Sequence, residues 1–349
     1  MDRTLRKLEH IKYSFELYEE NSNIFKNVNF VHNALPEISF KETSIISNLG
    51  GMLLKSPVII NAMTGGSDEV KTTNEHLALI ARETNLAMAV GSQMAALKDR
   101  KYIQTYKITR QVNPKGFIIG NVGSEATVDQ AKQAIAMIEA NALQIHLNPI
   151  QELTMQEGDK NFNGVLDRIQ AIREAVDIPV IVKEVGFGIS KEVSIKLKER
   201  GITIIDIGGK GGTNFAMIES RRRTNPLTVF NNWGIGTVTS LLEVKSVGNI
   251  EVIASGGIRN SLHIAKAIGL GAATVGIAGL ILKKLIDSNV NSVIEFINQM
   301  HVELRLLMTG LGVKNIIDLQ KKDIVITGEV KEWCELRNIP ISHLARRSE

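Results

Sequence analysis

The chain has a single cysteine, Cys334, among 349 residues. That excludes an intrachain disulfide and any metal site built from several thiolates, and it fits a reducing compartment. Aromatic residues make up only 5% of the sequence, too few for the stacking platforms on which proteins hold unpaired bases. Charge of one sign is scarce as well. Forty-one Lys and Arg against 37 Asp and Glu leave +4, which suits an anionic small ligand and argues against nucleic acid. No run approaches the roughly 20 apolar residues that a membrane span needs. The first residues, Met1 to Lys7, are charged and lead into no apolar core, unlike a secretory signal. The expectation is a soluble cytoplasmic protein with no membrane or nucleic-acid partner.

The hydrophobic content, 44%, is spread evenly and is enough for one large domain. Residues 1–56 are polar and aperiodic, and are expected to be an N-terminal arm and lead-in. From Pro57 the texture changes, and short apolar runs recur at 57–62, 86–90, 116–120, 142–148, 178–182, 202–207, 251–254 and 273–277. Helical patterns separate them. Val128, Ala131, Ile135 and Ile138 keep a three-to-four spacing behind Ser124 as N-cap, Ser190 opens a second helix that Gly201 closes, and Asn260-Ser261 opens a third. Strand and helix alternate throughout, so the sheet is expected to be parallel, and eight units over about 220 residues suit a (β/α)8 TIM barrel. A doubly wound sheet would carry Gly-x-Gly-x-x-Gly after its first strand, and this chain has none there. The barrel is expected over 57–285, with a C-terminal helical extension over 286–349 that begins with a helix near 292–308. One connection, 208–250, is long enough to be a lid or a disordered loop.

The run at 142–148 is unlike the others. Along a strand, Leu143, Ile145 and Leu147 share one face while Gln144, His146 and Asn148 share the other. A polar ladder in a sheet covered on both sides costs kcal-scale free energy unless every rung finds a partner, so it marks a site. Pro149 ends the strand, placing Gln151 and Glu152 on the loop that follows. The other strand ends converge with it on one mouth of a barrel, and nearly all are polar or glycine: Met63-Thr64-Gly65-Gly66, Ser92-Gln93, Asn121, Lys183-Glu184, 208–213, Ser255-Gly256-Gly257-Ile258-Arg259 and Ala278-Gly279. Any one of these could be a simple turn; their joint occurrence is harder to explain so. The glycine turns after strands seven and eight are where such barrels hold a phosphate, with the helix at Asn260 directing its positive end the same way, and flavin mononucleotide (FMN) fits. Lys183 at the end of an apolar strand would stabilise negative charge at the flavin's N1 and O2 edge. Glu152 is the candidate for Mg²⁺, which takes one carboxylate plus phosphate oxygens. By residue type alone Arg6 and Lys7 read as a solvated pair, and Arg221 to Arg223 as a solvated loop that draws in anions.

Taken together, these residues resemble the flavin-dependent type 2 isopentenyl-diphosphate isomerases over nearly the whole chain. The specific parts are Arg6-Lys7 and His146-Leu147-Asn148-Pro149-Ile150-Gln151-Glu152, whereas the glycine turns are shared with other flavin barrels. The resemblance implies conversion of isopentenyl to dimethylallyl diphosphate with no net redox change, on FMN kept reduced by NADPH or NADH, with Mg²⁺. It implies flavin contacts from Ala62, Met63, Thr64, Ser92, Asn121, Lys183, Thr213, Gly257, Ile258, Arg259, Ala278 and Gly279. Arg6, Lys7, His146, Asn148 and Gln151 would bind the diphosphate substrate, and Glu152 the metal. Reduced FMN would serve as acid and base with Gln151 relaying a proton; His146 is the other catalytic candidate, with a binding role preferred, and Gln144 is expected to orient His146 or Asn148. A homo-oligomer, tetramer or octamer, is expected.

Three other readings bear on the same residues. A flavin-dependent α-hydroxy-acid oxidase would need a histidine base after strand six, and no histidine lies between His146 and His263. An inosine-monophosphate-dehydrogenase-like enzyme would need a loop cysteine, and Cys334 lies outside the barrel. A non-catalytic flavin- or anion-binding interaction protein is the third, and colour bears on it, since the purified flavoprotein should be yellow and bleach on reduction.

Overall fold

The short β-branched runs pair side by side in chain order. In the computed structural model, which describes residues 9–10, 12–13, 16–17, 23–67 and 70–348, they form eight parallel strands: β1 (Val58–Ile60), β2 (Ala87–Ala89), β3 (Ile118–Gly123), β4 (Ala142–Leu147), β5 (Val180–Glu184), β6 (Ile204–Asp206), β7 (Glu251–Ser255) and β8 (Thr274–Ile277). β8 pairs with β1 and closes the barrel. The fold is the expected (β/α)8 barrel.

Between the strands run α1 (Lys71–Thr84), α2 (Gln104–Val112), α3 (Val128–Ile138), α4 (Pro149–Thr154), α5 (Val165–Ala175), α6 (Lys191–Glu199), α7 (Phe215–Arg221), α8 (Thr237–Lys245), α9 (Ser261–Gly269) and α10 (Gly279–Asp287). Leu143 and Ile145 of β4 face these helices and join the large core between sheet and helices. After them come α11 (Val290–Leu311) and α12 (Gly328–Leu336). α11 packs on α1 and α9, so it stands in the ring of helices, and α12 packs on α8. Among the described residues no helix is long and apolar enough to cross a membrane.

The barrel interior is layered, because a strand repeats its facing every second residue. Ile59, Ala87, Ala89, Ile119, Ala142, Ile181, Ile204 and Ile253 form an apolar floor. Two residues further along six of those strands, the same inward face carries Asn61, Asn121, Gln144, Lys183, Asp206 and Ser255. The floor is plugged from the strands' N-terminal side by a hairpin, Ser47–Leu49 with Met52–Leu54, whose Leu49 and Leu54 are buried against it. The Gly50 N–H donates to the Glu251 carboxylate at the start of β7 (2.9 Å), and Ser47 Oγ donates to the Ala273 carbonyl before β8 (2.6 Å). Residues 1–56 are thus more than a lead-in. Val28–Phe30 also pairs antiparallel with Ile324–Ile326, tying the two ends of the chain together.

Several local expectations change. Thr127, rather than Ser124, caps α3, through a reciprocal capping box with Gln130. Ser190 and Asn260 cap α6 and α9 as the sequence suggests. Pro149 does end β4, but it then occupies the first turn of α4, where its missing N–H costs nothing; Gln151 and Glu152 therefore stand on a helix, not a loop. The 208–250 connection holds α7 and α8, and α8 is almost wholly buried. Its apolar positions, Val238, Leu241, Leu242 and Val244, supply the core contacts that a lid or disordered loop would lack.

Candidate active site

A cavity of about 960 Å³ opens at the C-terminal mouth of the barrel. Ala62, Met63 and Thr64 after β1, Ser92 after β2, and Asn121 of β3 line one part of it. His146, Asn148, Gln151 and Glu152 line a second part, and Lys183, Thr213, Gly257, Ile258, Arg259, Ala278 and Gly279 line the rest. Every described candidate is therefore brought to one site. Arg6 and Lys7 lie outside the described residues.

Each rung of the polar ladder of β4 finds a partner, but the Gln144 side-chain oxygen is buried without one among the described residues. Gln144, fully buried, donates to Asn61 Oδ1 (3.2 Å), so it orients Asn61 rather than His146 or Asn148. His146 Nδ1 lies 2.8 Å from Asn121 Oδ1. Desolvation lowers the pKa of this imidazole; Glu125 opposes the shift and Lys183 adds to it. A backbone hydrogen bond to Val122 also opposes the shift, and the Asn121 contact suits the tautomer that carries its proton on Nδ1, because an amide oxygen only accepts. Asn148 Nδ2 donates to Glu152 Oε1 (3.0 Å) and to Gln151 Oε1 (3.3 Å). Gln151 Nε2 in turn donates to Glu219 Oε1 (3.0 Å), which fixes which end of the Gln151 amide faces where.

Glu219, on α7, carries no solvent exposure. Burial alone would raise its pKa, yet His10, Gln151 and Arg222 outweigh burial and hold the carboxyl below its ordinary value. Arg222 is the hub of this corner. Only 3% of its side chain is exposed, and it pairs with Glu219, with Glu9 of the arm (2.9 Å) and with Glu157 beyond α4 (3.0 Å). Its neighbours depart from the expected solvated loop as well: Arg221 ends α7 and pairs with Glu16, and half-buried Arg223 donates to the Thr154 carbonyl (2.9 Å). Arg222 is a buried clamp because three carboxylates from three segments converge on it.

Beneath the cavity lies a second buried set that sequence reading missed. The Asp206 carboxylate accepts from Asn61 Nδ2 (2.6 Å), the Gly208 N–H (3.3 Å) and Ser255 Oγ, and pairs with Lys183 Nζ (3.1 Å). Lys183 also donates to the Glu184 carbonyl (3.0 Å). Burial pushes the Glu184 carboxyl up to about 7, against the N–H groups of Phe187, Gly186 and Gly188 that it accepts from and the Lys183 charge. The only signal for Asn61 and Asp206 was a polar residue near the end of each apolar run.

The phosphate end is built differently from expectation. Asn260 accepts from the His263 N–H (2.9 Å), so its side chain occupies the N-terminus of α9, which does not line the cavity. α10 has no side-chain cap, and its first residues, Gly279 and Leu280, do line it; its free N–H groups and positive dipole end face the cavity. Opposite, Gly257 has φ +78°, and a Cβ there would collide with the Gly211 carbonyl oxygen, so only glycine lets these two turns meet. An open helix end, a glycine turn, a buried ammonium and this volume fit FMN. Glu152 is a different case: among the described residues no three His, Cys, Asp or Glu side chains are grouped to hold a metal. A single carboxylate fits Mg²⁺ only where the substrate's own oxygens complete the shell.

The family model for FMN-dependent dehydrogenases matches residues 100–326. Curated relatives extend the likeness over the whole chain. Isopentenyl-diphosphate delta-isomerases from Bacillus cytotoxicus (49% identical, 99% of this chain and 100% of that one), Geobacillus sp. (48%, 97% of each) and Bacillus mycoides (51%, 99% and 100%) are among them. Among solved structures, a lactate oxidase from Pediococcus acidilactici superposes with a TM-score of 0.68 at 16% identity (93% of this chain, 94% of that one), and a mandelate oxidase variant with 0.66 at 14% (91% and 95%). At such identity the oxidases share the fold alone, and the turn after β6, where an oxidase of this kind would need its histidine, reads Gly208-Gly209-Lys210-Gly211-Gly212. The chain belongs to the isopentenyl-diphosphate delta-isomerase family, built on the barrel of the FMN-dependent dehydrogenases.

Proposed function

We propose that the protein interconverts isopentenyl and dimethylallyl diphosphate by a 1,3-allylic proton shift, on reduced FMN and with Mg²⁺, supplying isoprenoid precursors in the cytoplasm. The observation that carries this is the facing of two halves in one cavity: the amide and imidazole set of β4 and α4 opposite the uncapped N-terminus of α10. The reaction adds a proton to the terminal methylene carbon and removes one from the carbon next to the carbinol, so atoms balance without an oxidant. When bound, reduced FMN supplies a titratable N5 as proton donor and acceptor, and NADPH or NADH keeps it reduced.

The protein's own residues supply position and charge. Ala62, Met63, Thr64, Ser92, Asn121 and Thr213 hold the flavin's ring, with Lys183 at its anionic edge, while Gly257, Ile258, Arg259, Ala278 and Gly279 hold its phosphate. His146, Asn148 and Gln151 bind the diphosphate, with Arg6 and Lys7 closing from the arm, and Glu152 holds Mg²⁺ with the diphosphate oxygens. Gln151, oriented by Asn148 and Glu219, can pass a proton but is a weak acid by itself. The protein acts as a homo-oligomer, a tetramer or octamer.

The test is an anaerobic incubation of isopentenyl diphosphate with protein, FMN, NADPH and Mg²⁺. Dimethylallyl diphosphate should form without net consumption of NADPH once the flavin is reduced. No isomer there, together with oxidation of lactate or mandelate and hydrogen peroxide release in a parallel aerobic incubation with those acids, would overturn the proposal in favour of an oxidase. Flavin binding without either turnover would favour the interaction protein.

A further inference from the structure

Asp206 does not line the cavity, yet the groups it holds do. Asn61, Lys183, Gly208 and Ser255 all face the cavity, and they come from β1, β5, the turn after β6, and β7. One fully buried carboxylate therefore gathers four strand ends from below. Its charge matters as much as its reach. Lys183 is 8% exposed, Asp206 is 0% exposed, and their atoms stand 3.1 Å apart, so the ammonium facing the cavity is already partly neutralised from its far side.

We propose that Asp206 is a positioning residue that acts through Lys183, as a buried counter-charge that trims the positive charge offered to the flavin and so sets how strongly the site favours the reduced, anionic form. The inference rests on the FMN reading. Oxidised isoalloxazine is neutral and reduced FMN carries a ring anion at neutral pH, so a charge beside it changes the affinity of one form more than the other. A site that keeps its flavin reduced through a non-redox cycle needs this balance: too little positive charge loses the reduced form, and too much holds its proton-bearing ring in an over-stabilised anion that is a poor base.

Asp206→Asn tests this with little change of shape. Lys183 keeps its bond to the Glu184 carbonyl, so the ammonium stays in place while one negative charge leaves. In the reconstituted holoprotein, the FMN midpoint potential of the variant should rise, with reduced FMN gaining about tenfold in affinity relative to oxidised FMN, which is ~30 mV for a two-electron couple. Ser255→Ala removes a donor from Asp206 and leaves its charge less shared, so it should move the potential the other way by less. Asp206→Glu, which keeps the negative charge, should hold the wild-type value.

A potential equal to wild type in Asp206→Asn with FMN bound, or a fall, would reject the counter-charge. Should Asp206→Asn not retain FMN, the sign of the Ser255→Ala shift decides: a fall supports the counter-charge, and no shift or a rise rejects it. Wild-type protein that takes up no FMN would overturn the flavin reading and this inference together, whereas uptake with unmoved potentials overturns this inference alone.

Discussion

On the proposed reading His146 must meet a diphosphate, a demand for which its surroundings leave it poorly prepared. A diphosphate needs hydrogen-bond donors, yet burial disfavours the protonated ring and its Nδ1 is already engaged with Asn121. Two phosphate charges beside the ring favour the protonated form, which raises the pKa that burial has lowered. Binding should therefore take up a proton at any pH between the free and the bound values. Titration calorimetry of holoprotein with the diphosphate, in two buffers of different ionisation enthalpy, should show uptake at neutral pH. His146→Gln should abolish the uptake and weaken binding by about tenfold or more. Affinity should be fullest below the free pKa, fall as pH rises from the free to the bound value, and level off above it. Buffer-independent enthalpies in the wild type would remove the binding role from His146. None of this was visible from the strand pattern, which marked His146 as inward-facing and polar but was silent on Asn121 and Lys183 on either side of it.

At the scale of an element, α7 and its trailing arginine decide whether the arm can serve the site. Helix α7 is short, and its sequence looks like a loop insert in an over-long connection. Its value lies in what it joins: Glu219 to Gln151, Arg222 to Glu9 and Glu157, and Arg221 to Glu16 (2.7 Å). The exposed Arg221–Glu16 pair contributes little, whereas the buried Arg222–Glu219 pair is costly to break, because removing one partner strands a charge away from water. Arg222→Ala should destabilise the protein by about 3–5 kcal/mol in urea unfolding. It should also release the arm, read as faster cleavage before residue 23 in limited proteolysis. An unchanged cleavage rate would show that Arg222 does not hold the arm. Arg222→Lys should restore only part of the protection, since one ammonium cannot serve three carboxylates in the plane that a guanidinium offers. The Arg221 to Arg223 run has the composition of a solvated face, and only the approach of three acidic segments makes its middle member a clamp.

The whole molecule separates stability from chemistry along the barrel axis. The floor is aliphatic and sealed by the 47–54 hairpin, while the mouth, one layer up each strand, is polar and carries the site. Leu49 is fully buried in that seal. Leu49→Ala should cost about 2–5 kcal/mol of stability, measured by denaturant unfolding, with FMN affinity nearly unchanged because the floor lies between the hairpin and the cavity. A large loss of FMN affinity in a folded Leu49→Ala protein would show that the two layers are coupled. The barrel itself was legible in the sequence, since eight apolar runs alternating with helical spacing leave few other architectures, and so was the site's rim, since polar strand ends must converge in a closed parallel barrel.

What the sequence determined by itself was periodic or local: the strands, the inward ladder of β4, the caps at Ser190 and Asn260, the glycine turns, and a motif set that resembles one isomerase family. Tertiary structure alone decided the partners. Asp206 and Asn61 meet across the barrel from positions 145 residues apart in the chain, and Gln151 meets Glu219 across 68. No periodicity records such pairs, because a strand's repeat sets which way a side chain points, while closure of the sheet sets what it finds there. The same holds for the phosphate end. Composition marks two glycine turns and two helix starts, but only the folded chain shows that the capped start of α9 stays off the cavity and that the uncapped start of α10 lines it.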